Sequence, residues 1–356
     1  MTELEELLSD EIEKGSFPGA VALVGGVEGV TEVAAAGWAV REPEQVPVSA
    51  DTVFDLASLT KPLVCGALVA AALPGLDLRS PPGRYLPEWK ASRYDDITLE
   101  SLLTHTSGLP AWYPLYARGE GAAAYRRTLA TIEPEAKPGE RILYSDLNFL
   151  LLGDLLELHF SAPLDATFAS VVAEPAGSAA KFLPGRALSV AATEKGDVTE
   201  RRMAAEMGLS YPRFRDGVVW GEVHDGNACR RGGVAGNAGL FAAARDVWSL
   251  VSPWLDPARA EMTRDRTGEL PEARGLAWQG SRGAGSAVAS MPASAFGHTG
   301  FTGTSVWVDP EADRIAVLLT NRIHPEAREV DFNAVRRRFH ERVFRPSPES
   351  KSFRVV

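Results

Sequence analysis

In the stretch FDLASLTKPL (54–63), Ser58 stands three residues before Lys61. Side chains three apart share one face of a helix. A hydroxyl and an amine placed so can do nucleophilic chemistry: the ammonium stabilises a developing oxyanion, or the amine form accepts the serine proton. Pro62 follows at once. Proline donates no N–H, and its ring collides with the carbonyl four residues back, which here is Ser58. The apolar run after it must therefore begin its helix at or just after Ser58, with Pro62 in the first turn. That sets the hydroxyl among the free N–H groups of a helix N-terminus, where negative charge is favoured. An N-capping serine before a solvated lysine has the same spelling, so the rest of the chain has to decide.

Two further stretches carry chemistry. In PGERILYSDLNFLLLGDLLE (138–157), Tyr144-Ser145-Asp146 precede an apolar helical run. A tyrosine at such a junction can act as general base when a cation such as Lys61 stands near it. In GHTGFTGTSVW (297–307), His298-Thr299-Gly300 open a strand. Glycine there admits a close approach to the backbone, and the N–H of Phe301 can join that of Ser58 as an oxyanion donor. Taken singly, each stretch also reads as ordinary structure: a partly buried tyrosine with a helix cap, and a glycine-rich hairpin with a surface histidine.

Together, and in this order, S-x-x-K, Y-S-D and H-T-G resemble the serine β-lactamase-like, penicillin-binding family of serine hydrolases. The branch resembled holds class C β-lactamases, D-alanyl-D-alanine carboxypeptidases, D-aminopeptidases and family VIII carboxylesterases. VFDLASLTKPL (53–63), ITLESLLTHTSGLP (97–110), YSDLNFLLLGDLLE (144–157) and GHTGFTGTSVWVDP (297–310) carry the likeness, which covers about residues 15–325. The resemblance implies Ser58 as acylated nucleophile, Lys61 as proton-transfer partner and Tyr144 as base. Phe301, His298, Thr299, Gly300 and Asp146 would then bind the substrate or its oxyanion. It implies no cofactor and no metal.

Two positions depart from the family pattern. Asp146 stands where an asparagine usually contacts an acyl-amide, and His298 stands for the lysine of K-T-G. An unperturbed histidine is mostly neutral at pH 7, and Asp146 adds a negative charge. Both changes weaken attraction for a substrate carboxylate and favour a neutral ester or amide. Trp112 and Tyr113 are candidates for the wall of an acyl pocket. His105 reads as a structural histidine. His224, Asp225 and Asn237, in GEVHDGNACRRGGVAGNAGLFAAARD (221–246), read as a hydrogen-bonding loop.

These residues need a frame to hold them. Leu4, Leu7, Leu8 and Ile12 predict an amphipathic helix over 1–14. The runs 20–26 and 31–40 predict a hairpin, and 297–310 with 314–321 a second one. Residues 63–73, 98–104, 147–159 and 331–344 read as helices. Strands at both ends around a helical middle predict an α+β fold, with one antiparallel sheet closed by the termini and an all-helical lobe against it. The expected division of this single catalytic unit, 1–356, is a sheet lobe of about 1–62 and 290–356 and a helical lobe of about 63–289, loop-rich over 183–235.

Composition narrows the class. The chain has 356 residues, 45% hydrophobic and 24% charged, with a net charge of −10, which argues against nucleic acid or an anionic membrane as partner. The N-terminus lacks the basic and apolar regions of a signal peptide, and no apolar run of spanning length stands out. Cys65 and Cys229, the two cysteines, read as buried small residues and fit a reducing cytoplasm. G-x-S-x-G, H-E-x-x-H and a P-loop are absent. The leading expectation is a carboxylesterase acting on small-molecule acyl esters through an acyl-enzyme on Ser58. D-amino-acid peptidase or amidase and β-lactamase are the rivals on the same fold. A catalytically silent binding or sensing module is the rival of another class.

Overall fold

The computed structural model describes residues 2–90, 94–325 and 327–345. Met1 of the first predicted helix and residues 346–356 of the sheet lobe lie outside them. The strands, in chain order, are β1 (Gly19–Gly26), β2 (Gly29–Val40), β3 (Val46–Pro47), β4 (Phe54–Asp55), β5 (Lys181–Phe182), β6 (Ala192–Lys195), β7 (Val218–Trp220), β8 (Leu240–Ala242), β9 (Gln279–Gly280), β10 (Phe296–Thr299), β11 (Ser305–Asp309) and β12 (Arg314–Thr320). Seven of them form one antiparallel sheet in the order β3-β2-β1-β12-β11-β10-β9. The ends of the chain meet at its centre, where Ala20 lies opposite Thr320 and Gly25 opposite Ile315.

Successive side chains point to opposite faces, and β1 and the Ile315–Leu319 part of β12 are apolar on both. Val21, Leu23, Ile315, Val317 and Leu319 face the large core shared with the helical region. Ala20, Ala22, Ala316 and Leu318 face the opposite way, onto the terminal helices Glu3–Glu13 and Phe332–Val343. A sheet covered on both sides needs apolar residues at every position. The large core continues into the helix Asp146–Phe160, in which every residue from Leu147 to Leu156 is buried.

The sequence reading of 297–310 as one strand needs correction. The chain turns at Gly300–Thr304, so β10 and β11 pair with each other and the C-terminal strands form a three-stranded meander. The sheet also reaches further back than residue 290. It takes β9 from the middle of the chain, and the helix Ala244–Val251 packs on β1 and β12. The region 183–235 is held by Arg215, which donates to Asp197 Oδ1 (2.7 Å), the Val223 carbonyl (2.8 Å) and the His224 carbonyl (2.7 Å). Cys65 is buried as expected, while Cys229 is only partly so.

Candidate active site

The segment leading to Ser58 is fixed from several sides. Ala57 has a positive φ of 47°, a region that costs a non-glycine residue about 1–3 kcal/mol. The Asp55 carboxylate accepts the N–H of Ala57 (2.9 Å) and that of His224 (2.7 Å). After it the chain coils as a 3₁₀ turn over Ala57–Leu59, a wide π-helical turn over Lys61–Gly66 and an α-helix over Ala67–Ala72. Ser58 therefore sits inside the first turn rather than ahead of it. Pro62 has no N–H to return to the Ser58 carbonyl, and the wide turn follows from that. The whole stretch Ala57–Gly75 is long and apolar enough to cross a membrane, yet 67% of it is buried inside the protein, where it is the core element that carries the site.

Lys61 is fully buried, and its ammonium is surrounded. Nζ donates to Ser58 Oγ at 2.8 Å and to the Asn237 carbonyl at 3.1 Å, and it pairs with Asp146 Oδ1 at 2.6 Å. Burial pulls its pKa down, but the Asp146 carboxylate and then Tyr144 outweigh this, and the net direction is up. Of the two roles open to the lysine, the ammonium is the one present.

Tyr144 lies beside that ammonium, with Lys61 Nζ 5.0 Å from its ring centroid and Arg274 Cζ 5.7 Å. His105 fixes it. The His105 carbonyl accepts the N–H of Leu143 (2.9 Å), its Nδ1 accepts that of Ser145 (2.9 Å), and its ring stacks on Tyr144 at 4.4 Å. His298 flanks Tyr144 at 5.9 Å. Burial, and then the nearby Lys61 and Arg274 charges, push the pKa of His298 well below 6.5. It is a buried neutral imidazole whose Nδ1 donates to the Thr299 carbonyl at 2.8 Å.

The approach permitted by Gly300 is made by the chain itself. A Cβ there would lie 2.1 Å from Thr304 Oγ1 and 2.5 Å from the Leu56 carbonyl. Thr302 and Thr304 donate to the Asp55 and Leu56 carbonyls at 2.7 and 3.0 Å, and Arg336 donates to the Gly300 carbonyl at 2.6 Å. These bonds lash the turn that carries Phe301 to the segment that carries Ser58.

Ser58, Trp112, Tyr144, Asp146 and Phe301 line one cavity of about 180 Å³. His298, Thr299 and Gly300 are not among its lining residues, and Tyr113 lines a separate surface hollow. The cavity also takes Glu200, Met203, His224, Asp225 and Asn237. The sequence reading gave these five no chemical role. The nearest signal was the loop 221–246; for Glu200 and Met203, on the helix Val198–Glu206, there was none. His224 stacks on Phe301 at 5.5 Å and pairs with Glu194 at 3.0 Å. Burial opposes its protonation, but the Glu194 carboxylate raises its pKa on balance.

A serine hydroxyl bonded to a buried ammonium, with a tyrosine on the same ammonium and the whole held between sheet and helical region, defines a serine hydrolase. The chain belongs to the β-lactamase family, whose family model matches residues 4–338. A putative D-alanyl-D-alanine carboxypeptidase of Salmonella agona is 29% identical over 317 residues, which cover 77% of this chain and 70% of that protein. Among solved structures, EstCE1, a hydrolase with promiscuous acyltransferase activity, superposes with a TM-score of 0.71 at 22% identity, covering 95% of this chain and 97% of its own. A class C β-lactamase from Rhodobacter sphaeroides gives 0.67 at 20% identity, covering 94% and 97%. These structural neighbours share the fold: an antiparallel sheet with flanking helices and a helical region, of the β-lactamase/transpeptidase type.

Proposed function

We propose that the protein is a carboxylesterase that hydrolyses small acyl esters through an acyl-enzyme on Ser58. Tyr144 takes the Ser58 proton while the Lys61 ammonium compensates the developing alkoxide. The alkoxide attacks the ester carbonyl, whose oxygen is held by the N–H groups of Ser58 and Phe301. The tetrahedral intermediate collapses, the C–O bond to the leaving group breaks, and the departing alcohol takes its proton from Tyr144. A water molecule then gives a proton to Tyr144 and attacks the acyl-enzyme; the bond to Ser58 Oγ breaks, and Tyr144 returns the proton to that oxygen.

The observation that carries this reading is the 2.6 Å pair between Lys61 and Asp146. The buried cation of the site is already committed to a carboxylate. His224, on the cavity wall, is likewise paired with a carboxylate, that of Glu194. A substrate carboxylate, which a penicillin or a peptide ending in D-alanine carries, has neither to itself. D-amino-acid peptide or amide hydrolysis is the second reading, favoured by the similarity to carboxypeptidase-named relatives. β-Lactam hydrolysis comes third.

Two measurements test the proposal. Intact-mass spectrometry after a fluorophosphonate probe should show one adduct on the wild type and none on Ser58→Ala. Parallel kcat/KM values for a short-chain ester, a D-Ala-D-Ala peptide and a cephalosporin should rank in that order. A peptide favoured well above the ester would replace the first reading by the second.

A further inference from the structure

The cavity holds more carboxyl groups than the acyl-enzyme chemistry uses. Asp146 is matched by Lys61, and Glu194, behind the wall, by His224. Glu200 and Asp225 also line the cavity, and among the described residues neither has an ion-pair partner. Their hydrogen bonds come from neutral groups. Glu200 accepts the Tyr116 hydroxyl at 2.6 Å and the Gly226 N–H at 2.8 Å, and Asp225 accepts the Ala228 N–H at 2.7 Å. Burial, and then the Asp225 charge, raise the pKa of Glu200 to about 7. Buried carboxylates without a cation are costly, and a ligand that brings one removes the cost.

A second observation points the same way. Asn237 is 1% exposed and lines the same cavity, and its Oδ1 has no hydrogen-bond donor among the described residues. A buried acceptor left unpaired costs about 1–3 kcal/mol, and a donor-bearing ligand would satisfy it. The wall also includes the aromatic residue Trp112, a side-chain type that suits a cation.

We propose that Glu200, Asp225 and Asn237 form a subsite for a protonated amine on the acyl part of the substrate, so that the preferred substrates are small amino-acyl esters or amides. This rests on the acyl-enzyme reading above. The leaving group departs beside Tyr144, which protonates it, so the acyl part takes the rest of the cavity. At about 180 Å³, that space is below the ~300–1,000 Å³ of ordinary ligand pockets and admits only a short acyl group.

The test compares alanine methyl ester with methyl isobutyrate, in which a methyl replaces the ammonium. Each kcat/KM is divided by that ester's own hydroxide-catalysed rate, which removes the difference in intrinsic reactivity. The amino ester should exceed its isostere by at least about tenfold, which is ~1.4 kcal/mol. Glu200→Gln and Asp225→Asn should each lower that ratio at least about threefold; both replacements keep acceptors for the Gly226 and Ala228 N–H groups. A ratio near one, or a ratio that neither variant moves, overturns the amine subsite. If the fluorophosphonate adduct forms and methyl isobutyrate is turned over without any preference, the subsite alone falls. If there is no adduct and neither ester is hydrolysed, the acyl-enzyme reading falls with it.

Discussion

The Lys61 ammonium stands between two oxygens, 2.8 Å from Ser58 Oγ and 2.6 Å from Asp146 Oδ1. The first comes from its own helical turn and the second from the first residue of the helix Asp146–Phe160. A fully buried lysine would ordinarily lose its proton to desolvation. Here the facing carboxylate keeps it charged, and it can support the Ser58 oxygen only as a cation. Asp146 thus has two effects: it sustains the ammonium and withholds it from a substrate carboxylate.

Replacing Asp146 by asparagine separates these effects. Burial would then act on Lys61 against a weaker partner, and its pKa would fall. Ester turnover should drop. The kcat/KM ratio of a cephalosporin to a short-chain ester should rise by about tenfold, or ~1.4 kcal/mol, because the remaining charge becomes available to the β-lactam carboxylate. Parallel kinetics on the two substrates read this out. An unchanged ratio would show that the ion pair does not set substrate selection.

Tyr144→Phe removes a hydroxyl but leaves a ring that His105 and His298 can still pack against, at 4.4 and 5.9 Å in the native protein. General-base catalysis is worth about 10²–10⁴ in rate, so kcat on a short-chain ester should fall by that factor. The thermal midpoint should move by only a few degrees, since no core volume is lost. A variant that keeps its kcat would take the base role away from Tyr144.

The sequence made the frame and the placing of Ser58 legible for physical reasons. Short apolar runs marked β1 and β12, and the collision between Pro62 and the carbonyl of Ser58 placed the serine at the start of a helix. The wall opposite Ser58 was not legible. Glu200 and Met203 reach the cavity because Arg215 ties Asp197 to the chain at Val223 and His224, and such a long-range clamp leaves no periodic trace. The burial of His298 was not legible either: its three-residue motif suggests a group facing substrate, and nothing in it marks a residue 2% exposed with its ring 5.9 Å from that of Tyr144.

Gly300→Ala tests the clamp between the segments of Ser58 and Phe301, the two proposed oxyanion donors. The added Cβ would meet backbone at Leu56, 2.5 Å away, as well as Thr304 Oγ1. The Leu56 carbonyl has no rotamer with which to move aside, so the turn bearing Phe301 must shift away from Ser58. Mispositioning one oxyanion donor costs about 10²–10³ in kcat. The ester assay should show that loss, accompanied by a lower thermal midpoint, and wild-type turnover would mean that the Phe301 turn is not what fixes the reaction geometry.

Glu11 supplies a pH dependence that is independent of catalysis. Its carboxylate joins the two terminal helices, accepting two bonds of 2.8 Å from Arg338, with Ser16 at 2.8 Å and Lys14 at 3.0 Å. Burial would raise its pKa, but the Arg338 and Ser16 bonds outweigh this and lower it from 4.5 to about 2. A depressed carboxylate pKa means that the unfolded chain binds the proton more readily. The stabilisation is therefore complete above pH 4.5 and is lost as the pH falls from 4.5 towards 2. Arg338 is 41% exposed, so solvent screening leaves on the order of 2 kcal/mol of this. Urea unfolding at pH 7 should find Glu11→Gln less stable by about that amount. The gap between variant and wild type should narrow as the pH is lowered from 4.5 to 3. A gap that stays constant with pH would show that the charge on Glu11 is not what holds the two helices together.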